Sequence, residues 1–274
     1  MSEISKKKFI YNYNSGISQI IQKELIADIE TPISSLLKLS RNQKYSFLLE
    51  SVEGGDQRGR FSLLGCDPDL IWVVKNNIAK IKKLNKNLTI PKVSLDPIES
   101  LKKLLILSKI KRDLIDPPFP VLVGYLGYNM IQFMEEIKLK NYDEIKIPDA
   151  VMIRPKLVAV FDNIKDTISI MTSIYPNENT KARDAYDKAN LYLEKTIKKL
   201  NKEIKLDIIS NKKNLKDIKF KSNYKKNKYF KIIKNAKSYI KKGDIFQVVP
   251  SQRFKTKYNL DAISLYRSLR RLNP

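Results

Sequence analysis

Phe47-Leu48-Leu49-Glu50-Ser51-Val52-Glu53-Gly54-Gly55, followed after three residues by Gly59-Arg60-Phe61-Ser62-Leu63-Leu64-Gly65, is the stretch that decides the fold. Two apolar runs of strand length flank a glycine turn, and four of the chain's eight glycines fall between Gly54 and Gly65. Connections this tight between such runs specify antiparallel β structure. Strand alternation places Phe47, Leu49 and Ser51 on one face and Leu48 and Glu50 on the other. A hydroxyl at the end of an apolar strand face can bond the turn backbone, or it can hold the polar part of a small ligand whose body fills an apolar pocket. Spacing alone leaves both open.

Working outward, residues 45–52, 60–64 and 70–74 read as three strands, with turns at residues 53–56 and at Asn76-Asn77. Upstream, Thr31-Pro32 reads as a helix start, Thr as N-cap and Pro at the first helical position. Downstream, a helix follows Asp96-Pro97, with Ile98, Leu101, Leu104, Leu105 and Leu107 as its apolar stripe. Residues 120–128 read as a buried strand whose Gly124 and Gly127 mark close backbone approach. Residues 151–161 and 167–175 form a hairpin over Asn163-Ile164-Lys165-Asp166, and a long helix runs from Thr180 to about residue 206.

A lysine-rich connector follows, and then the pattern changes. Tyr229, Ile232, Ile233, Ala236, Tyr239 and Ile240 recur at helical spacing, and Gly243 sits where that helix would be capped. Residues 244–254 alternate as a strand, with Phe246, Val248, Pro250, Gln252 and Phe254 on the core side. Ile245, Gln247, Val249, Ser251 and Arg253 share the other side, so an amide, a hydroxyl and a guanidinium stand in a row. That row can be a solvated face or a wall for a polar anionic ligand. Residues 260–272 are again helical, and the chain stops at Asn273-Pro274. One strand and two helices cannot make a second core, so the sequence reads as cut off in an opening domain.

Composition narrows the chemistry. There is no histidine and one cysteine, Cys66, in 274 residues. Histidine-based nucleophile activation and acid-base catalysis, disulfide frameworks and four-cysteine zinc sites are therefore excluded. With no leader-like or membrane-length apolar run, the expected setting is the cytoplasm, with no membrane partner. The formal net charge is +24, but only ten of the 53 basic residues are arginine. Lysine bias alongside abundant Ile and Asn reflects coding composition, whereas nucleic-acid readers favour arginine with interleaved aromatics, so no nucleic-acid partner is expected. Half the excess charge lies in residues 202–242, which hold 15 lysines and three acids. This segment is a solvated connector and helix face, or a basic rim that draws in a small anion.

With the Leu-Leu-Glu-Ser and glycine-turn segment and Gly243-Asp244-Ile245-Phe246-Gln247-Val248-Val249-Pro250-Ser251 in view, the chain resembles the amino-terminal half of the large subunits of anthranilate synthase, a family of chorismate-utilising enzymes. The likeness covers essentially the whole chain. It implies an α+β fold, mainly antiparallel sheets with flanking helices, truncated at the start of the chorismate-binding domain. Residues 1–206 would form an amino-terminal regulatory domain that binds tryptophan, residues 207–221 a lysine-rich connector, and residues 222–274 the beginning of the catalytic domain. Ser51 would contact the inhibitor L-tryptophan and Glu50 would support that site. The family's second inhibitor motif, Asn-Pro-Ser-Pro-Tyr-Met, begins at Asn273-Pro274 and is not completed.

Gln247 bears on reaction class. Isochorismate and salicylate synthases resemble this strand but carry a lysine base here that activates water, and a neutral amide cannot be that base. The resemblance therefore implies ammonia as nucleophile: chorismate and ammonia to anthranilate and pyruvate, assisted by Mg2+, with ammonia from glutamine through a separate amidotransferase subunit. Aminodeoxychorismate synthase also uses ammonia and is the alternative, as is a non-catalytic tryptophan-binding module. The family's Mg2+ ligands, catalytic histidine and chorismate-carboxylate contacts belong to its carboxy-terminal half. No catalytic or metal-binding residue is therefore assigned to this chain, and the fragment alone is expected to be inactive.

Overall fold

A computed structural model describes residues 5–40, 43–53, 57–85, 88, 90, 96–110, 118–137, 145–204, 219–259 and 261–272. The chain divides into two units, Met1–Lys205 and Leu206–Pro274.

In the first unit the elements run α1 (Lys6–Asn14), β1 (Gln19–Ile26), α2 (Pro32–Ser40), β2 (Ser46–Glu53), β3 (Gln57–Lys75), β4 (Ile78–Lys83), α3 (Pro97–Leu107), β5 (Val123–Leu126), β6 (Ala150–Asp162), β7 (Thr167–Ile174) and α4 (Ala182–Leu200). The seven strands make one sheet of order β1-β7-β6-β3-β2, with β4 beside β3 and β5 beside β6. All the pairings are antiparallel.

Local chemistry starts the elements where the sequence predicts. The Thr31 hydroxyl accepts the Ser34 amide at 3.1 Å, leaving Pro32 at the first helical position of α2. Asp96 accepts the Glu99 amide at 2.7 Å and caps α3 in the same way. Asn76 and Asn77 take φ of 51° and 63°, the paired left-handed conformation of a two-residue hairpin turn, and join β3 to β4. The β6–β7 hairpin forms as expected, with Asp166 at φ 50° closing its turn.

The two strands expected at 60–64 and 70–74 are one 19-residue strand, β3. Cys66-Asp67-Pro68-Asp69 reads as a break, yet it is a bend. Asp67 adopts φ 51°, the ladder to β6 shifts between Pro68 and Leu70, and β6 pairs with β3 on both sides of the shift. Contacts from distant chain hold the bend. Gln43 Oε1 accepts the Asp67 amide, and the Tyr192 hydroxyl of α4 donates to Asp67 Oδ2 at 2.7 Å. Along its other edge β3 serves β2 first and β4 afterwards.

Residues opposite one another share a face, so Phe47, Gly65 and Val158 form one row and Leu49, Leu63 and Val160 the next. Val158, Val160 and Met171 are buried there with Ile20, Phe61, Leu63 and Phe119. The Leu64 and Cys66 side carries α2, whose Leu39 carbonyl lies 4.0 Å from Cys66 Sγ. Past the bend, Leu70, Trp72 and Val74 pack with Leu104, Met130 and Ala150 as a separate core, and the Trp72 indole donates to Ser100 Oγ at 2.7 Å.

Three further expectations are corrected. The strand expected at 120–128 is only β5, an exposed edge, and Gly127 begins a 3₁₀ turn at Tyr128–Phe133. The close approach is there: a Cβ on Gly124 would lie 1.9 Å from the Val151 carbonyl oxygen. Helix α4 ends at Leu200, not near 206. In α3, Leu104 is fully buried but Leu105 and Leu107 are exposed, because the helix rests on β4 and the β3 core through a narrower stripe.

The second unit holds β8 (Lys221–Ser222), α5 (Lys226–Lys241), β9 (Phe254–Lys255) and α6 (Ala262–Leu272), with β8 and β9 antiparallel. Gly243 at φ 78° ends α5, its amide donating to Ile240 O and that of Asp244 to Tyr239 O, which satisfies two carbonyls of the last turn. Asp261 caps α6 through the Ser264 amide at 2.9 Å. The strand expected at 244–254 is realised only at β9. Strands exist through neighbours, and among the described residues this segment finds only β8. Its predicted core side is accordingly open, with Phe246 95% exposed. Leu260, Asn273, Pro274 and most of the lysine-rich connector lie outside the described residues.

Candidate functional site

Glu50 and Ser51 sit near the end of β2, the last strand of the sheet. Glu50 is half-buried opposite Ser62, itself buried, and Phe47 lies against Gly65, where a Cβ would come within 2.3 Å of its ring. Glycine at 65 thus gives the Phe47 ring its seat on the apolar face. Leu49, next on that face, is 49% exposed, so the apolar row is open at the Ser51 end.

The ladder breaks at Ser51. Glu50 pairs with Ser62 and Val52 with Arg58, so one residue of β2 stands against Gly59, Arg60 and Phe61 of β3. The β6–β7 turn lies against this bulge. Asn163 Nδ2 donates to Gly59 O at 2.7 Å, and the Asn163 amide donates to Arg60 O at 2.8 Å. Asp162 Oδ2 accepts from Arg60 Nη2 at 2.9 Å, while its Oδ1 accepts the Ile164 and Lys165 amides. The hydrogen bond from Arg60, against a smaller burial penalty, holds the Asp162 carboxyl below the usual carboxylate range. Sequence reading did not find Arg60, Asp162 and Asn163 as a group. Asn163 was visible there only as a turn residue.

Gln247 lies in the second unit on the segment before β9 and is exposed. Around it, Gln252 Nε2 donates to Ser222 Oγ at 2.7 Å, and the Arg253 amide donates to Asn223 Oδ1 at 2.9 Å. These bonds fix the segment's downstream end against β8.

A concavity in the first unit, of about 400 Å³, is lined by Leu70, Leu104, Arg154, Tyr175 and Asn177 among others. Its guanidinium is neutralised: Arg154 donates to both carboxylate oxygens of Asp69, at 2.8 and 2.6 Å, and to Ser108 at 3.2 Å. Tyr175 stacks on Arg154 at 3.9 Å, and burial pushes its hydroxyl up to about 12. Cys66, fully buried, has its thiol pushed up to about 12 by burial, so it is no nucleophile.

Among the described residues no three Asp, Glu, His or Cys side chains converge as metal ligands would. No helix among them is long and apolar enough to cross a membrane.

Comparison with known proteins agrees with this architecture. Anthranilate synthase component 1 of Cereibacter sphaeroides is 34% identical over 277 residues, covering 98% of this chain and 54% of that protein. The same component from Synechocystis is 33% identical, covering 93% and 51%, and that from Aquifex aeolicus 32%, covering 92% and 50%. The chain spans about half the length of the curated relatives it matches. The crystal structure of anthranilate synthase component I from Streptococcus pneumoniae shares the fold, with a TM-score of 0.56 and 23% identity over 91% of this chain and 52% of that one. The profile of the chorismate binding enzymes matches residues 45–274, a span that takes in the bulged β2–β3 ladder and the Gln247 segment alike, and the chain belongs to that family.

Proposed function

We propose that this chain is the amino-terminal half of an anthranilate synthase component 1. The whole protein would convert chorismate and ammonia to anthranilate and pyruvate with Mg2+ in the cytoplasm, ammonia coming from glutamine through an amidotransferase subunit. The observation that carries the reading is sequence identity of 32–34% to three proteins of that name, each over more than nine-tenths of this chain. Within it, residues 1–206 are the regulatory domain, 207–221 the connector and 222–274 the start of the chorismate-binding domain. Ser51 contacts inhibitory L-tryptophan and Glu50 supports that site. Gln247 supports the choice of nucleophile: an amide has no proton equilibrium near neutral pH, so it offers no base to activate water.

What this half supplies is binding and coupling. An inhibitor bound at the open end of the β2 apolar row acts by its different affinity for two states of the whole protein, and its binding shifts their balance. The test is anthranilate fluorescence with chorismate, Mg2+ and ammonium, using the 274-residue chain and the full-length protein. The full-length protein forms anthranilate and is inhibited by L-tryptophan, whereas the 274-residue chain is inactive. Anthranilate from the 274-residue chain, or aminodeoxychorismate from the full-length protein, would overturn the reading.

A further inference from the structure

The β2–β3 ladder fails at one place, and the failure is held open from the far side of β3. A bulge leaves backbone groups of its extra residues without ladder partners, and such groups must be satisfied elsewhere. Here the carbonyl of one bulge residue, Gly59, is taken by the Asn163 side chain, while the Asn163 amide adds one more rung to the β3–β6 ladder by donating to Arg60 O. Asn163 is itself fixed by its predecessor. Asp162 ties the turn through two amides, at 3.1 and 3.3 Å, and grips the Arg60 side chain through Nε and Nη2, at 3.2 and 2.9 Å. The Arg60 guanidinium in turn lies 4.6 Å from the Phe61 ring centroid. All three bulge residues are thus tied, directly or through a neighbour, to a turn far away in sequence.

The geometry sets where the end of β2 can lie. Strand register determines which face a residue occupies, and a slip by one residue exchanges the faces. With the Gly59 carbonyl engaged by Asn163 Nδ2, β2 beyond Glu50 cannot recover the regular register by capturing it. Since β2 ends the sheet order, no other described strand steadies it.

We propose that the Asp162–Asn163 turn is a positioning device for the Ser51 end of β2, and that it sets the affinity of the inhibitor site there. This rests on the reading of Ser51 as a tryptophan contact. Asp162 and Asn163 are positioning residues and touch no ligand themselves.

The test uses Asn163→Ala and Asn163→Asp, neither of which can donate to Gly59 O, with Lys165→Ala in the same turn as control. Amide hydrogen exchange is followed in the 274-residue chain, and L-tryptophan inhibition in the full-length protein. Both Asn163 variants raise exchange at residues 57–62 at least tenfold while α4 is unchanged, and raise the half-inhibiting tryptophan concentration at least fivefold. Lys165→Ala does neither. Unchanged exchange, or faster exchange with unchanged inhibition, overturns the positioning role alone. Absence of tryptophan inhibition in the unsubstituted full-length protein overturns the underlying reading, and the exchange data separate that failure from the first.

Discussion

Replacing Asp69 by alanine removes the only carboxylate paired with Arg154 among the described residues, a side chain with 4% of its surface exposed, against 12% for Asp69. The guanidinium keeps one hydrogen bond to Ser108 and its stack on Tyr175, and loses both charge-assisted bonds. An intact buried pair is weak evidence of net stabilisation, but breaking one strands a charge in a low-dielectric site, at a cost of about 3–5 kcal/mol. The loss is read by urea denaturation followed through the fluorescence of Trp72, the chain's single tryptophan and fully buried three residues along β3. With a slope of roughly 3 kcal/mol/M the midpoint falls by about 1–1.7 M. The double variant Asp69→Leu with Arg154→Met removes both charges and keeps volume, so it recovers most of the deficit. A loss below about 1 kcal/mol for Asp69→Ala, or a double variant no more stable than the single one, would refute this account of the pair.

Other outcomes follow from individual contacts. Asp162 has a lowered pKa in the folded chain, so its contribution is complete above the unfolded carboxylate value of about 3.9 and fades as pH falls through its own lower value. The stability difference between the parent and Asp162→Asn is therefore flat above about pH 5 and shrinks below about pH 4 in urea titrations. Cys66 stays unmodified by a thiol reagent at pH 8 in the native chain and reacts once the chain is unfolded in guanidinium; rapid native labelling would contradict its burial. Gly124→Ala drives a Cβ into the backbone of β6 and costs about 1–3 kcal/mol by thermal denaturation, more than Gly65→Ala, where the obstacle is the movable ring of Phe47.

What could be read from the sequence was what neighbouring residues decide together. Asn76-Asn77, Thr31-Pro32, Asp96-Pro97 and Gly243 each impose a conformation on their own few residues, and each does so in the structure. The bend in β3 was not legible, because Asp67 is held in its left-handed conformation by Gln43 and Tyr192, one from before β2 and one from α4. Residues 244–253 carry the alternation of a strand, yet alternation supplies no hydrogen-bond partners. At the candidate site, Glu50 and Ser51 could be reached from the resemblance of their segment. The Asn163 amide on Gly59 joins residues 104 apart in sequence, and no local pattern announces that contact.

The double service of β3 has a consequence for how the protein is made. Its β2 and β4 partners are sequence neighbours and leave the ribosome with it, whereas β6, which lines its other edge from Phe61 to Val74, is synthesised only after α3 and β5. At about 5–20 residues per second, a three-stranded meander waits several seconds with a long apolar edge bare. During that wait the nascent chain is most exposed to pairing with other polypeptides. The yield of folded protein should then depend on translation speed between Lys83 and Ala150, and a chaperone that covers a strand edge would act in that interval.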